Sequence, residues 1–366
     1  MVGLFHVSRL PIVFFKWHKI FDNRKVMLYS STMDYEKLSQ KKDQVDQFRP
    51  FPPELVKNLD DWFRIELTYS SNAIEGNTLT RRETAVIVEK GLAVGGKPLK
   101  DHLEVINHVK ALDWIKYLIG KKPCDISERD LLSIQEFILN GIDNDNAGRY
   151  RNVSVRISGS SVVVPNPRKV PDLMADFIDW LSRENKMHPV ELAGEAHYRL
   201  VSIHPFVDGN GRTARLLMNL ILMMMGYPPA IIRKRDRLAY IGALEKAQLG
   251  GSLDAYKKII VNAVDRSLNI YMKALKRIES TGVDAIVLLR IGELSKQVNE
   301  TNSTIRYWTK EGLIEIADKT AAGYQLYSTE TIKRIKFIKE LKVKRFTLQE
   351  IKDMIDIVDP ENETMC

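Results

Sequence analysis

From residue 53 to residue 280 apolar residues recur at three- and four-residue intervals, and glycines and prolines cut the series into segments. That spacing lines one face of a helix, so it excludes a sheet as the main scaffold. It predicts helices over 53–71, 81–89, 101–117, 127–140, 171–183, 189–203, 212–225, 237–248 and 253–280, in a chain that is helix-rich from Tyr35 onward. Stops fall at Gly91, Gly95, Gly96, Pro123, Gly141, Pro165, Pro167, Gly226, Gly250 and Gly251. One patch breaks the period. Residues 151–164 alternate and are rich in valine, which predicts a β-hairpin turning at Gly159.

A length of 366 residues leaves room for two or three domains, and 44% hydrophobic residues supply a sizeable core. Cys124 and Cys366 are too few and too distant for a disulfide framework or a cysteine zinc site, which suits a reducing, cytoplasmic setting. No segment reaches the ~18 apolar residues of a membrane span. The longest apolar stretch, 216–225, is broken by Asn219 and reads as a buried helix. Residues 1–32 are basic and lack a helical period. Their run Ile12-Val13-Phe14-Phe15 is shorter than the ~7–15-residue core of a signal peptide, so secretion by that route is excluded. The segment reads either as an over-called start or disordered tail, or as a basic arm for a membrane or partner.

The densest chemistry lies in His204-Pro205-Phe206-Val207-Asp208-Gly209-Asn210-Gly211-Arg212-Thr213-Ala214-Arg215. An apolar helix ends just before His204. Two glycines flank Asn210 and let the backbone approach a ligand closely. A new helix opens near Arg212, so unpaired N–H groups and a positive dipole end face the loop and make an anion site. Arg212 and Arg215 fall on neighbouring positions of its first turn and can grip phosphate oxygens. Asp208 offers a hard oxygen suited to Mg²⁺. His204, titrating near neutral pH, can take a proton from a hydroxyl. Together these residues describe phosphoryl or nucleotidyl transfer.

The stretch resembles the signature of Fic-domain proteins, His-x-Phe-x-Asp/Glu-Gly-Asn-Gly-Arg-x-x-Arg, with every specified position matched. The resemblance extends to Ala196-His197-Tyr198-Arg199-Leu200-Val201 and to residues 226–234. It implies transfer of AMP from ATP to a serine, threonine or tyrosine hydroxyl of a protein. By it His204 is the base, Asp208 the Mg²⁺ ligand, Gly209, Asn210 and Gly211 the anion hole, and Arg212 and Arg215 hold the β/γ-phosphates. The hairpin, framed by Gly148-x-x-Arg151 and Pro165-x-Pro167, is similar to the family's flap, with Val155, Arg156 and Ile157 offered to the target as an added strand. Tyr240 resembles a nucleoside contact. Gln248 stands where relatives often carry an asparagine, and its longer amide can still reach the base.

Ser71-Asn72-Ala73-Ile74-Glu75-Gly76-Asn77 ends a helix. Gly76 and Asn77 are good terminators. A carboxylate at a helix C-terminus opposes the dipole, so Glu75 needs a cation. On residues alone a solvated glutamate suffices. The stretch resembles the family's inhibitory motif Ser/Thr-x-x-x-Glu-Gly/Asn, with Ser71, Glu75 and Gly76 matching. The resemblance implies that Glu75 pairs with Arg215, and that some members use this glutamate to remove AMP again.

From residue 291 a second unit appears. Residues 291–300 read as a short helix and a turn at Asn299, residues 304–308 open a second helix, and residues 323–327 read as a wing. This resembles the winged helix-turn-helix of MerR-type regulators. The resemblance places Thr304, Arg306, Tyr307 and Tyr324 on DNA. Gln325 stands where relatives usually carry arginine, and the chain ends without a long coiled coil. Residues 331–345 carry seven basic residues against Glu340, either a solvated face or one turned to phosphates. Residues 1–26 carry five against Asp22, so these two segments more than account for the net +8.

The expectation is a mainly α fold: a Fic-type helical core with a β-hairpin flap, plus a small C-terminal winged helix-turn-helix. Its parts are an extension at 1–32, a helical region with the inhibitory motif at 33–122, a catalytic core at 123–280 and the winged unit at 285–366. The function expected is a self-inhibited protein adenylyltransferase needing Mg²⁺ and ATP. The alternative is a DNA-binding regulator whose Fic core senses nucleotide or modifies itself. The partners expected are a hydroxyl-bearing protein, ATP and DNA, without a membrane; a homodimer is compatible with the sequence.

Overall fold

The computed structural model describes residues 35–183, 186–281, 288–320, 323–344 and 346–352. The expectations for residues 1–32, Arg345 and the chain beyond 352 lie outside them.

The helical part runs α1 (Tyr35–Asp46), α2 (Pro53–Ile74), α3 (Arg81–Lys90), α4 (Leu99–Leu118), α5 (Glu128–Leu139), α6 (Val170–Ser182), α7 (Pro189–Ile203), α8 (Asn210–Met224), α9 (Arg237–Gln248) and α10 (Asp254–Thr281). Local chemistry sets many of these ends. Thr80 and Ser127 form capping boxes with Glu83 and Asp130. Prolines open α2 and α7, where the missing N–H costs nothing. Gly91, at φ 64°, closes α3 in the left-handed region.

α8 is the axis of the bundle. Leu216, Leu217, Met218, Leu220, Ile221 and Leu222 are all at most 1% exposed. A helix apolar all round belongs in the middle of a core, and each such side chain contributes about 1.5–3 kcal/mol on burial. α7 packs along it, with α2, α4 and α5 against its other faces. The loop 204–209 joins α7 to α8. It is therefore anchored at both ends in the most buried part of the molecule.

The β-hairpin expected at 151–164 does not form as a ladder. The chain does reverse at Gly159, at φ 74°, but no strand is present in the segment. Its backbone bonds are Arg151 N–H to the Pro205 carbonyl (2.9 Å) and Ser160 N–H to that of Ile157 (3.1 Å). The Arg151 side chain supplies the reason. Its guanidinium donates to the carbonyls of Val153 (3.2 Å) and Pro165 (2.7 Å), one on each arm. A side chain set between the arms takes the place of cross-strand pairing at the base. The tip is tied elsewhere: Ser160 Oγ and Ser161 N–H both donate to Glu245 on α9.

The C-terminal part comprises β1 (Leu289–Arg290), α11 (Ile291–Val298), α12 (Asn302–Lys310), β2 (Asp318–Lys319), β3 (Gln325–Tyr327) and α13 (Glu330–Val343). β3 pairs antiparallel with both other strands, in the order β1-β3-β2. Asn299 closes α11 at φ 50°, the left-handed position expected of it. Leu294, Ile305, Trp308, Tyr327, Ile335 and Ile338 form a core of their own. Gln325, half-buried, accepts from the Tyr327 hydroxyl (2.8 Å). Among the described residues no helix is long and apolar enough to cross a membrane.

Candidate active site

The loop between α7 and α8 is held by its own backbone and by two buried side chains from outside. His204 caps α7 in the left-handed region, at φ 53°. A non-glycine residue there stores strain of roughly 1–3 kcal/mol and persists only when its surroundings impose it. Arg151 imposes it: Nε donates to the His204 carbonyl (2.7 Å) while its own N–H holds that of Pro205. The Asn210 amide accepts from Phe206 N–H and donates to the Phe206 carbonyl, both at 2.9 Å. Asn210 thus braces the loop rather than presenting its side chain to a ligand. Gln135 on α5, wholly buried, donates to the Asp208 carbonyl (3.2 Å) and accepts from Gly148 N–H.

Gly209 sits at φ 82° at the N-cap of α8 and offers no capping side chain, so the first amides of a long helix face the loop. A side chain there would be strained, and its Cβ would also press on Ile138 at 3.2 Å. Burial pushes the His204 imidazole down to about 4; Val201's backbone, Glu75 and Asp208 pull it up and Arg151 pushes it further down. The sequence suggested titration near neutrality. The folded chain instead keeps the ring neutral at pH 7, ready to accept a proton.

The two arginines of α8 are both buried and both already paired. Arg212 Nη1 lies 3.2 Å from Glu104 of α4, and its Nη2 lies 3.4 Å from Asp208. Glu104 is itself fixed by Asn77, whose amide donates to Oε2 (2.8 Å). Arg212 Nε and Nη1 are buried and make no hydrogen bond among the described residues, though Nη1 keeps its ion pair with Glu104. Arg215 donates from Nε to Ser71 Oγ (3.0 Å), and from Nη2 to the Ser71 carbonyl (3.0 Å) and Glu75 Oε1 (2.7 Å). Against the desolvation that pushes it upward, Arg215, Arg212 and Arg237 hold the Glu75 carboxyl below its usual range. Arg237 also closes the end of α2 by donating to the Ile74 carbonyl (2.6 Å). The Glu75 carboxylate lies over the first turn of α8. A Cβ at Gly211 would stand 2.5 Å from Glu75 Oε1 and 3.1 Å from Arg215. Glycine at 211 is what lets a carboxylate rest on the anion site.

The sequence matches the Fic/DOC family over residues 125–222 and the MerR HTH family regulatory protein over residues 289–356. Among solved structures, Fic-1 from C. elegans is 33% identical, with a TM-score of 0.61 over 66% of this chain and 72% of that one. A Fic domain containing signaling protein from Bacteroides thetaiotaomicron is 30% identical, with a TM-score of 0.59, and this chain covers 96% of it. This chain belongs to the Fic family. A curated relative from Culex quinquefasciatus, named protein adenylyltransferase Fic, is 37% identical over 242 residues, which is 66% of this chain and 48% of the relative. The chain therefore spans about half the length of the curated Fic proteins it matches.

The Fic fold does not bring every sequence candidate to the loop. Tyr240 is 2% exposed, and its hydroxyl pairs with His197 Nε2 (2.7 Å). The other ring nitrogen of His197 pairs with Tyr256 (2.9 Å), so the Tyr240 hydroxyl is engaged in a buried network beneath Arg215. Gln248 is half-buried and donates to Ser202 Oγ (3.2 Å). Val155 and Ile157 are half-buried and Arg156 is exposed. Glu104, Gln135 and Arg237 belong to no motif in the sequence. Asp101, Glu104 and His108 recur at three- and four-residue spacing on one buried face of α4, and that polar stripe was the available signal.

In the winged unit, Arg306 and Tyr307 are exposed on α12, Tyr324 is exposed on the wing, and Thr304 is half-buried. Arg306 and Tyr324 line a groove of about 870 Å³, together with Arg290, Lys296 and Lys310. The basic residues of α13 do not line it. Lys339 donates to the Val298 carbonyl (3.0 Å), Arg334 to that of Leu313 (2.8 Å), and Lys342 lies over Trp308 (5.7 Å). Much of that charge run ties α13 to its own unit.

Proposed function

We propose that this Fic protein transfers AMP from ATP to a serine, threonine or tyrosine hydroxyl of a protein, and that Glu75 holds it idle. The observation that carries this reading is the Glu75–Arg215 pair lying over Gly211, beside a neutral His204. In the reaction the target oxygen bonds to the α-phosphorus of ATP, the bond from that phosphorus to the bridging oxygen breaks, and pyrophosphate leaves. His204 takes the hydroxyl proton. The amides at the start of α8 and the donors of Arg212 receive phosphate oxygens. Arg215 serves the γ-phosphate only when Glu75 lets go, so a closed pair leaves ATP in a pose unsuited to in-line attack.

Asp208 suits Mg²⁺. Its carboxylate is half exposed at the loop, and no cluster of three or more acidic, histidine or cysteine ligands occurs among the described residues. One carboxylate plus phosphates and water is the donor set Mg²⁺ prefers, and the ion would neutralise phosphate charge when bound. The open arms of 151–164 offer Val155, Arg156 and Ile157 as an edge to which a target strand adds. The Gln248 amide is the remaining candidate for the adenine edge, by exchange of its bond to Ser202.

Incubation with ATP labelled at the α-phosphate tests the reading on wild type, His204→Ala and Glu75→Gly. Label rises about 10–100-fold in Glu75→Gly, the worth of one charged hydrogen-bonded pair, and is lost in His204→Ala. Equal label in all three chains overturns the proposal. Chasing the label with unlabelled ATP shows whether Glu75 also supports AMP removal: faster loss from wild type than from Glu75→Gly is the expected sign. A second reading, binding of duplex DNA by the winged unit, rests on the cation-lined groove beside Arg306 and Tyr324. A gel shift on the DNA upstream of the coding region tests it.

A further inference from the structure

The winged unit meets the Fic core through the wing and β1, and the contacts are polar. Arg290 lies 3.5 Å from Asp61 of α2 and 4.0 Å from Glu89 of α3. Thr320 Oγ1, on the wing, donates to Glu89 Oε2 (3.3 Å). Lys90 stands over the Tyr324 ring at 4.2 Å. Lys57 of α2 pairs with Glu293 of α11. Arg290, Glu293 and Tyr324 are among the residues that line the cationic groove. Two carboxylates of the core thus sit on a guanidinium that faces the groove, in the manner of two phosphates of a duplex, and Lys90 of α3 stands over the still exposed wing aromatic.

We infer that Asp61 and Glu89 act as an intramolecular substitute for DNA phosphates, so that the α2–α3 face of the core and duplex DNA compete for the wing and for Arg290. The inference rests on the DNA reading given above and is independent of AMP transfer. Three features support competition over permanent fusion. The joining pairs are mostly partly exposed, and such pairs contribute about 0–1 kcal/mol each. Both apolar cores are complete without the interface, since no buried residue is common to them. The groove keeps Lys296, Arg306 and Lys310 for phosphates, and these are not paired with the core's carboxylates. Duplex DNA is the occupant favoured over an acidic protein because the cations stand on a helix-turn-helix and its wing, which track a repeating backbone.

The test uses the full chain and a fluorescent duplex of mixed sequence, read by anisotropy at low salt. Asp61→Asn with Glu89→Gln keeps shape and hydrogen bonding while removing both charges. A charge-matched control, Asp113→Asn with Asp179→Asn, removes two carboxylates that pair with Arg64 and Arg183 of the core. The first double variant binds duplex about three- to tenfold more tightly than wild type, and the control stays within about twofold. Equal tightening in both variants assigns the effect to net charge and overturns the proposal. So does unchanged affinity, or no duplex binding by any of the three chains. Tightening for polyglutamate but not for duplex assigns the face to an acidic protein partner and also overturns it. The label assay with Glu75→Gly gives the same answer in every one of these cases, so failure here is separable from failure of the transferase reading.

Discussion

Arg212 and Arg215 stand one turn apart on α8, and each meets a carboxylate from a different helix. Arg212 is bound to Glu104 at the far side of the loop, and Arg215 to Glu75 at its mouth. Burial separates their roles. Glu104 is 8% exposed and fixed by Asn77, so it acts as a permanent counter-charge; Glu75 is 36% exposed and can leave. Glu104→Leu removes a buried partner and strands a buried cation. It should cost about 3–5 kcal/mol of stability, seen as a large fall in melting temperature by calorimetry. His204 yields a pH prediction whose sign follows from its depressed pKa. A base works when unprotonated, so initial rates of Glu75→Gly at low ATP stay level from neutral pH down to about pH 5, and fall through about 4. The variant lacks the upward pull of Glu75, which places the fall lower, not higher. A midpoint near 6.5 would mean that the imidazole is not desolvated as described.

At the scale of elements, the segment 151–164 is held at its base by Arg151 and at its tip by Glu245. Between these points its backbone has few internal bonds, and such segments open at low free-energy cost. Glu245→Ala should release the tip. Trypsin cleavage after Arg156 is expected to accelerate several-fold, as followed by mass spectrometry of the native chain, with the melting temperature unchanged. Equal cleavage rates would show that Arg151 alone sets the segment's order. Alternation of valines marked where this stretch reverses, at Gly159, but the strands it predicted do not form. It could not foretell that an arginine eleven or more residues before the last valines would occupy the space between the arms, since that depends on where Pro165 returns in space.

At the scale of the molecule, the two largest apolar cores among the described residues are joined by polar contacts. Calorimetry should resolve two transitions. ATP with Mg²⁺ at about 100 times its dissociation constant adds about 2.7 kcal/mol to the state it binds, and it should raise the transition of the larger core alone. The rise should be greater in Glu75→Gly, where the anion site is open before ATP arrives. A single transition raised as one unit would show that the cores unfold together, and that the interface is stronger than its exposed pairs indicate.

The amino-acid sequence by itself determined the helices, their caps and the loop chemistry, because spacing, capping and glycine placement act over a few residues. α7 and α9 begin and end where the apolar pattern places them, and Asn299 takes the left-handed position for which its side chain is suited. The chemistry of 204–215 was legible for the same reason: its groups are neighbours along the chain. Tertiary structure alone decided which of the candidate groups, in that stretch and beyond it, are free. Tyr240 went to His197, Asn210 to Phe206, Arg212 to Glu104 and Gln248 to Ser202. Each partner is chosen by burial, which obliges a polar group to pair with whatever the packing of distant helices brings within reach.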